Sequence, residues 1–301
     1  MTDGPATLRV ATWNIRAAIG PEKPFPDRWW RLIETARLRA IGDVLAGVGA
    51  DVVALQEVAL ASRDGDLVDN AGDLARHLGM EVRYAATRTF EVTDERGTQT
   101  GAGCFGNALL SRLPIGSSRA LMLPMAPTDA YVEPPGADHP GAGVRYADAP
   151  ETIREPRTLL LAEIAGMTVG STHFSHVGAG ERALQAAATA ATMGGDRPAL
   201  LLGDLNAAIE SPDLAPFGGW VDGFAAAGIP PADERRISTD DGWRIDHVLA
   251  RGASVRNCRV LREAGDLSDH YPVVAEVAVA GGRNASGVQR GNVLHDATQT
   301  G

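Results

Sequence analysis

The chain has 301 residues, 44% of them hydrophobic and 22% charged, an ordinary globular balance with enough length for a sizeable core. A formal net charge of -10 argues against a protein that coats a nucleic-acid backbone by bulk charge, while leaving room for single arginines around a phosphate. Cys104 and Cys258 are the only cysteines and lie too far apart in sequence to make a disulfide framework or a zinc site. Residues 1–8 lack the basic and apolar regions of a secretory signal, and no apolar run reaches bilayer length, so a soluble, cytoplasmic monomer is expected. Lys23 is the only lysine, and nearly all positive charge is arginine.

Residues 8–14 alternate, with Leu8, Val10, Thr12 and Asn14 on one face, and read as a strand ending at Asn14. A Gly/Pro-rich loop over residues 20–26 leads to Trp29 and Trp30. Leu32, Ala36, Ile41, Val44, Leu45 and Val48 recur at helical spacing, which predicts a helix over residues 31–48, closed by Gly49. Residues 51–58 read as a second apolar strand carrying Gln56 and Glu57 at its end. A short helix is predicted over 71–78, and strands over 82–89 and 106–111. The stretch 121–156 is rich in proline and glycine and reads as a long loop, either functional or disordered.

Residues 158–164 and 167–173 form a predicted hairpin around Ala165-Gly166, its second strand ending in Thr172-His173. An alanine-rich helix follows over 181–193. Residues 199–206 are a buried strand in which Leu200, Leu202, Asp204 and Asn206 share one parity, so a carboxylate and an amide emerge where the apolar run ends. Residues 244–250 are a strand carrying Asp246 and His247. A polar turn over 267–272 holds Asp269 and His270, and a last strand covers 273–280. Residues 1–280 are read as one domain and 281–301 as a polar, glycine-rich disordered tail. Both halves contain a strand–helix–strand unit with polar groups at the carboxyl ends of its strands. Two such units face to face predict an α/β fold, a four-layer α/β/β/α sandwich with two mixed, mainly antiparallel sheets sharing one polar rim.

The candidates at that rim are Asn14, Glu57, His173, Asp204, Asn206, Asp246, Asp269 and His270. Carboxylate and amide oxygens without thiolates suit Mg²⁺, Mn²⁺ or Ca²⁺ better than zinc. The acids and histidines could supply a cation site, a base for water and donors to developing negative charge, an inventory that fits phosphate-ester hydrolysis.

The segments Thr12-Trp13-Asn14-Ile15, Leu55-Gln56-Glu57-Val58, Gly106-Asn107 to Ser111, Thr172-His173, Gly203-Asp204-Leu205-Asn206, Ile245-Asp246-His247 and Ser268-Asp269-His270-Tyr271-Pro272 follow one another in this order. The series resembles the endonuclease/exonuclease/phosphatase superfamily, the group of deoxyribonuclease I-like metal-dependent phosphoesterases, over about residues 9–279. Each motif alone is weak; the ordered set is specific. Glu155-Pro156-Arg157 before a strand is similar to the small bacterial members. The resemblance implies Mg²⁺ (or Mn²⁺) as cofactor, Glu57 as principal cation ligand, and Asn14 and Asp269 close to the cation or its water. It implies that Asp204 and Asn206 hold water and phosphate, that His173 faces a phosphoryl oxygen, and that Asp246 pairs with His270. Arg157 is the candidate substrate contact.

Each residue singly has a structural alternative: Asn14 as a turn cap, Glu57 as half of a salt bridge, and His176 and His247 as hydrogen-bonded core histidines. Arg16 reads as a solvated charge, and Trp29 and Trp30 as core or loop anchors. The expected function is Mg-dependent phosphoesterase action, on a small phosphorylated molecule in preference to polymeric DNA. Lipid headgroups and nucleic acid remain open as substrates, and the rival readings are an endo- or exonuclease and a catalytically inactive scaffold. Stable membrane insertion is not expected.

Overall fold

The computed structural model describes residues 7–22, 29–63, 66–126, 155–176 and 178–279. The readings placed on residues 281–301, on most of the loop 121–156 and on Pro24 to Pro26 lie outside these. In chain order the elements are β1 (Thr7–Asn14), α1 (Thr35–Val48), β2 (Val52–Arg63), β3 (Asp66–Asp69), α2 (Asn70–Leu78), β4 (Glu81–Thr93), β5 (Gln99–Ser111) and β6 (Ile115–Met122). They continue with β7 (Thr158–Ile164), β8 (Met167–His173), α3 (Ala179–Thr192), β9 (Ala199–Asp204), β10 (Val221–Asp222), α4 (Gly223–Ala226), β11 (Asp246–Arg251), β12 (Ala253–Val260) and β13 (Val273–Val279). One sheet has the order β12-β13-β1-β2-β5-β4, with β3 paired to β2; the other runs β10-β11-β9-β8-β7-β6. Each sheet holds one parallel pair, β1/β2 and β8/β9, among antiparallel neighbours.

Strand alternation explains the layers. In β1, Leu8 and Val10 join an inter-sheet core with Val52, Ala54, Leu160, Val169, Leu200, Leu202, Val248 and Val273, while Ala11 and Trp13 face the other way against Leu38, Ile41 and Leu45 of α1 and Leu74 of α2. In β9, Leu200 and Leu202 point into the inter-sheet core and Leu201 points out to a cluster with Phe174, Ala186, Leu214 and Phe217. The fold is the four-layer sandwich. The β8/β9 pair is tight: a Cβ on Gly203 would stand 2.3 Å from the Thr172 carbonyl oxygen. The β7–β8 hairpin turns through Ala165 (φ 50°) and Gly166 (φ 78°), the left-handed pair that a two-residue turn demands.

Four differences from the sequence reading have physical causes. α1 begins at Thr35 because Trp29–Leu32 form a 3₁₀ turn and Glu34 is extended; Trp29 and Trp30 are buried against Phe90 and Phe105, which draws the segment off the helix axis. β2 does not stop at Glu57 but continues through a bulge to Arg63. β4 and β5 extend beyond the expected ends into a long hairpin. β6 and β12 were not expected: β6 is an edge strand with almost every side chain exposed, and in β12 a bulge at Asn257 (φ 53°) breaks the period of two.

Candidate active site

The inter-sheet core runs out at the carboxyl ends of β1, β8 and β9, where the inward parity passes from Val10 to Thr12 and Asn14, and from Leu202 to Asp204. The two sheets touch there through polar groups: Asn14 Nδ2 donates to Asp204 Oδ2 at 3.2 Å and to Glu57 Oε1 at 3.2 Å. Register adds the rest. His173 lies opposite Asp204 in the parallel β8/β9 pair, and Asp246 lies opposite Asp204 in the antiparallel β9/β11 pair. His173 Nε2 is 3.3 Å from Asp204 Oδ2, and His270 Nδ1 is 2.8 Å from Asp246 Oδ2, with its Nε2 3.7 Å from Asp204. Beneath them Thr12 donates to Gln56 Oε1 at 3.2 Å, a buried polar floor under the rim.

Glu57 reaches the rim by a backbone device. In a regular strand it would share the parity of Val53 and Leu55, which face the helices. The register of β2 against β5 shifts between Leu55 and Val58, and Glu57 sits at φ 54°, so the bulge turns its side chain toward Asn14. A left-handed, non-glycine residue costs about 1–2 kcal/mol, and such strain gathers at functional sites. Asn206 shows the same feature at φ 50°. Its backbone N–H donates to Asp204 Oδ1 (3.0 Å) and its Nδ2 to the Phe174 carbonyl (3.0 Å), so it braces Asp204 and the segment after β8.

The turn carrying Asp269 and His270 is anchored to β1. Ser268 Oγ donates to the Asn14 carbonyl at 2.8 Å, and Trp13 Nε1 to the His270 carbonyl at 2.8 Å. Arg16 Nε pairs with Asp269 at 3.0 Å; three successive left-handed residues, Arg16 to Ala18, bring the guanidinium there. Arg16 was read as a solvated charge and is instead part of the rim.

Electrostatics separate the groups. Burial, then the neighbouring Asp269, pushes the Glu57 carboxyl up to about 7. Burial and Asp246 push Asp204 up to about 6, against the opposing pull of His270 and Asn14. His173 is lowered, first by burial and then by Arg157 and His270, so it is neutral near pH 7. Burial alone would lower His270 too, but the Asp246 and Asp204 carboxylates hold it well above the usual imidazole range, as a cation between two acids. Asp204, Asp246 and His270 offer ligand atoms within 4.8 Å of one another; the imidazolium already offsets one of the two carboxylates. Glu57 and Asp269 repel one another, and Glu57 has the Asn14 amide as its hydrogen-bond donor. These hard oxygens are of the kind a divalent cation takes, with Asp269 already paired to Arg16.

These groups line a cavity of about 330 Å³ together with Glu155, Arg157, His176, Thr239, Asp240, Asp241 and Trp243. All of the sequence candidates except Asp246, which stands behind His270, are among the lining residues. The sequence reading missed Arg16, Glu155, His176 and the segment 239–243 as cavity residues. The first three stand within two or three residues of a candidate, which was the available signal. His247 is a core histidine bonded to the Ala207 carbonyl at 2.8 Å. Trp29 and Trp30 pack in the core.

A two-sheet sandwich whose inter-sheet core ends in a carboxylate–imidazole rim defines an architecture shared with known proteins. The Endonuclease/Exonuclease/phosphatase family model matches residues 11–270, and the chain belongs to that family. Members are generally hydrolases acting on phosphoesters and generally use a divalent metal. Among solved structures the chain is similar to an endonuclease/exonuclease/phosphatase from Beutenbergia cavernae DSM 12333, with a TM-score of 0.63 and 22% identity over 92% of this chain and 72% of that one. It is also similar to the human Nocturnin catalytic domain (TM-score 0.58, 16% identity, 91% and 93% covered) and to a mannosyl-6-phosphatase from Bacteroides thetaiotaomicron (0.54, 19%, 90% and 99%). A comparison with curated proteins returns no match.

Proposed function

We propose that the protein is a divalent-cation-dependent phosphoesterase that hydrolyses a small phosphorylated substrate by direct attack of water. The observation that carries this reading is the meeting of Asn14, Glu57, His173, Asp204 and His270 where the two sheets' shared core ends, each held by a strand end or a braced turn. Glu57 and Asp269, with Asn14 beside them, would hold Mg²⁺ or Mn²⁺. When bound, the cation supplies positive charge against the negative charge that develops at phosphorus. Asp204, with its carboxyl pushed up to about 6, has the proton affinity to take a proton from water near neutral pH, and Asn206 fixes its orientation. Neutral His173 donates an N–H to a phosphoryl oxygen. His270, kept cationic by Asp246, faces the same developing charge.

The similarity to a mannosyl-6-phosphatase supports a small substrate, as do the carboxylates of Asp240 and Asp241 on the rim, which disfavour a polynucleotide. Action in the cytoplasm as a monomer belongs to the same proposal; no helix among the described residues is long and apolar enough to cross a membrane. The test is a hydrolysis panel of DNA, RNA, nucleotides, sphingomyelin, inositol phosphates and sugar phosphates with Mg²⁺ or Mn²⁺, alongside cation titration calorimetry. Cation binding with chelator-sensitive turnover of a small phosphate ester is expected. Absence of both cation binding and turnover would instead favour a binding module.

A further inference from the structure

The two sides of the cavity differ in chemistry. On the β7–β8 side, Arg157 is 3% exposed, its Nη2 donates to His176 Nδ1 at 3.1 Å, and the same nitrogen lies 3.4 Å from Glu155 Oε2. Glu155 is held in turn by Arg88 Nη1 at 2.7 Å. Arg157 Nε is buried and has no partner among the described residues. A guanidinium only donates, so His176 Nδ1 is the acceptor and the ring proton sits on Nε2. Burial, then the charge of Arg157, pushes His176 down to about 4, so the imidazole is neutral at physiological pH and keeps that tautomer. Among the described residues, His176 Nε2–H on this wall and the enclosed Arg157 Nε–H behind it have no hydrogen-bond partner.

Apart from the imidazoles of His173 and His270, the side-chain amide and guanidinium donors on the facing side of the cavity are taken up among the described residues. The Asn14 amide serves Glu57 and Asp204, the Asn206 amide serves Phe174, and Arg16 serves Asp269 and Gly20. On the β11 side the rim is acidic. Asp241 accepts from Thr239 Oγ1 at 2.6 Å and from Trp243 Nε1 at 2.9 Å, and the adjacent Asp240 carboxyl is raised by burial and by Asp269.

Building on the phosphoesterase reading above, we propose that Arg157 and His176 bind the terminal oxygens of a phosphomonoester, and that Asp240 and Asp241 favour an uncharged leaving group. The substrate class is then a monoester of a small neutral alcohol. A monoester dianion offers three terminal oxygens and one organic arm. A diester offers two such oxygens and needs a second exit, and a polynucleotide would carry further phosphates past two carboxylates. His176 becomes a substrate-contacting residue in place of a core histidine.

The test compares kcat/KM for p-nitrophenyl phosphate and bis-p-nitrophenyl phosphate, with Mn²⁺, in the wild type, His176→Ala and His176→Gln. The wild type should favour the monoester. His176→Ala should lower the monoester-to-diester ratio about 10-fold, mainly through KM, the size expected for one hydrogen bond to a charged group. His176→Gln, which keeps an N–H donor, should recover much of that ratio. An arm that needs no variant is inhibition of the wild type: inorganic phosphate should inhibit more tightly than dimethyl phosphate. A wild-type preference for the diester, the reverse inhibition order, or an unchanged ratio in His176→Ala overturns the proposal while leaving a phosphoesterase. No metal-dependent release from either ester, nor from an oligonucleotide, would remove the phosphoesterase reading and the proposal with it.

Discussion

The two parallel strand pairs are built alike and glued differently. In β1–α1–β2 the helix buries Leu38, Ile41 and Leu45 against Ala11, Val53 and Leu55, an apolar joint. In β8–α3–β9 the helix buries Glu181, Arg182 and Gln185 with no measurable exposure. Arg182 Nε pairs with Asp213 at 2.6 Å, Arg182 Nη1 donates to the Ser175 carbonyl at 3.2 Å, and the Ser175 N–H donates to Gln185 Oε1 at 2.8 Å. Ser175 lies between His173 and His176. The polar helix therefore grips the backbone that carries two cavity histidines through buried hydrogen bonds, whereas the apolar helix packs on its strands and reaches the segment before the Asp269–His270 turn from the end of Arg37, whose Nη1 donates to the Asp266 carbonyl. An apolar joint gives stability without direction; a buried polar one fixes a loop in one position, because each misplaced donor or acceptor would stand unpaired.

That contrast can be broken from either side. The largest expected effect on stability is Arg182→Met, which leaves Asp213 buried and unpaired and should cost about 3–5 kcal/mol by urea denaturation. Leu45→Ala, the counterpart in the apolar joint, should cost about 2–4 kcal/mol and shift KM less than a polar-joint variant, since it removes apolar packing and no directed hydrogen bond. Equal KM shifts from Leu45→Ala and from a polar-joint variant would remove the distinction. Gln185→Ala should cost about 1–3 kcal/mol for the unsatisfied Ser175 N–H, with a rise in KM as the His173–His176 segment loosens. Gly203→Ala should cost about 2 kcal/mol or more in thermal unfolding, because the new methyl meets the Thr172 carbonyl.

The smallest effect concerns pH. Burial lowers His247 below the usual imidazole range, so the unfolded chain takes up a proton there that the native chain does not. Its contribution is present above the ordinary imidazole pKa and is lost as pH falls below it. Replacing His247 by Asn should therefore flatten the loss of stability between about pH 7 and 5, read from denaturation midpoints. A steeper loss would contradict the assignment of His247 as a neutral core residue.

The same contrast explains what the amino-acid order discloses. Strand alternation and helix spacing follow from side-chain polarity, so the sandwich and its layers were legible, and so was the parity that sends Asp204 and Asn14 inward. Asp246 and His173 follow from register once β9 has its neighbours. Glu57 does not follow: alternation points it at the helices, and only the bulge turns it inward. Arg16 is hidden for a related reason, since nothing in Arg16-Ala17-Ala18 announces a left-handed turn. His176 looked structural because nothing in the amino-acid order brings it, just after β8, against Arg157, just before β7. The trend is that residues placed by periodicity can be read, and residues placed by backbone exceptions or by tertiary pairing cannot.

Asp204 joins both sheets and, in the proposed reaction, positions the attacking water. The most direct test is the rate of Mn²⁺-dependent phosphate-ester hydrolysis by Asp204→Asn, with and without EDTA, beside a wild type of matched thermal stability. Loss of about 3 orders of magnitude or more in kcat is expected in the variant, with wild-type turnover abolished by the chelator. A variant that keeps full, chelator-sensitive activity would contradict that role for Asp204.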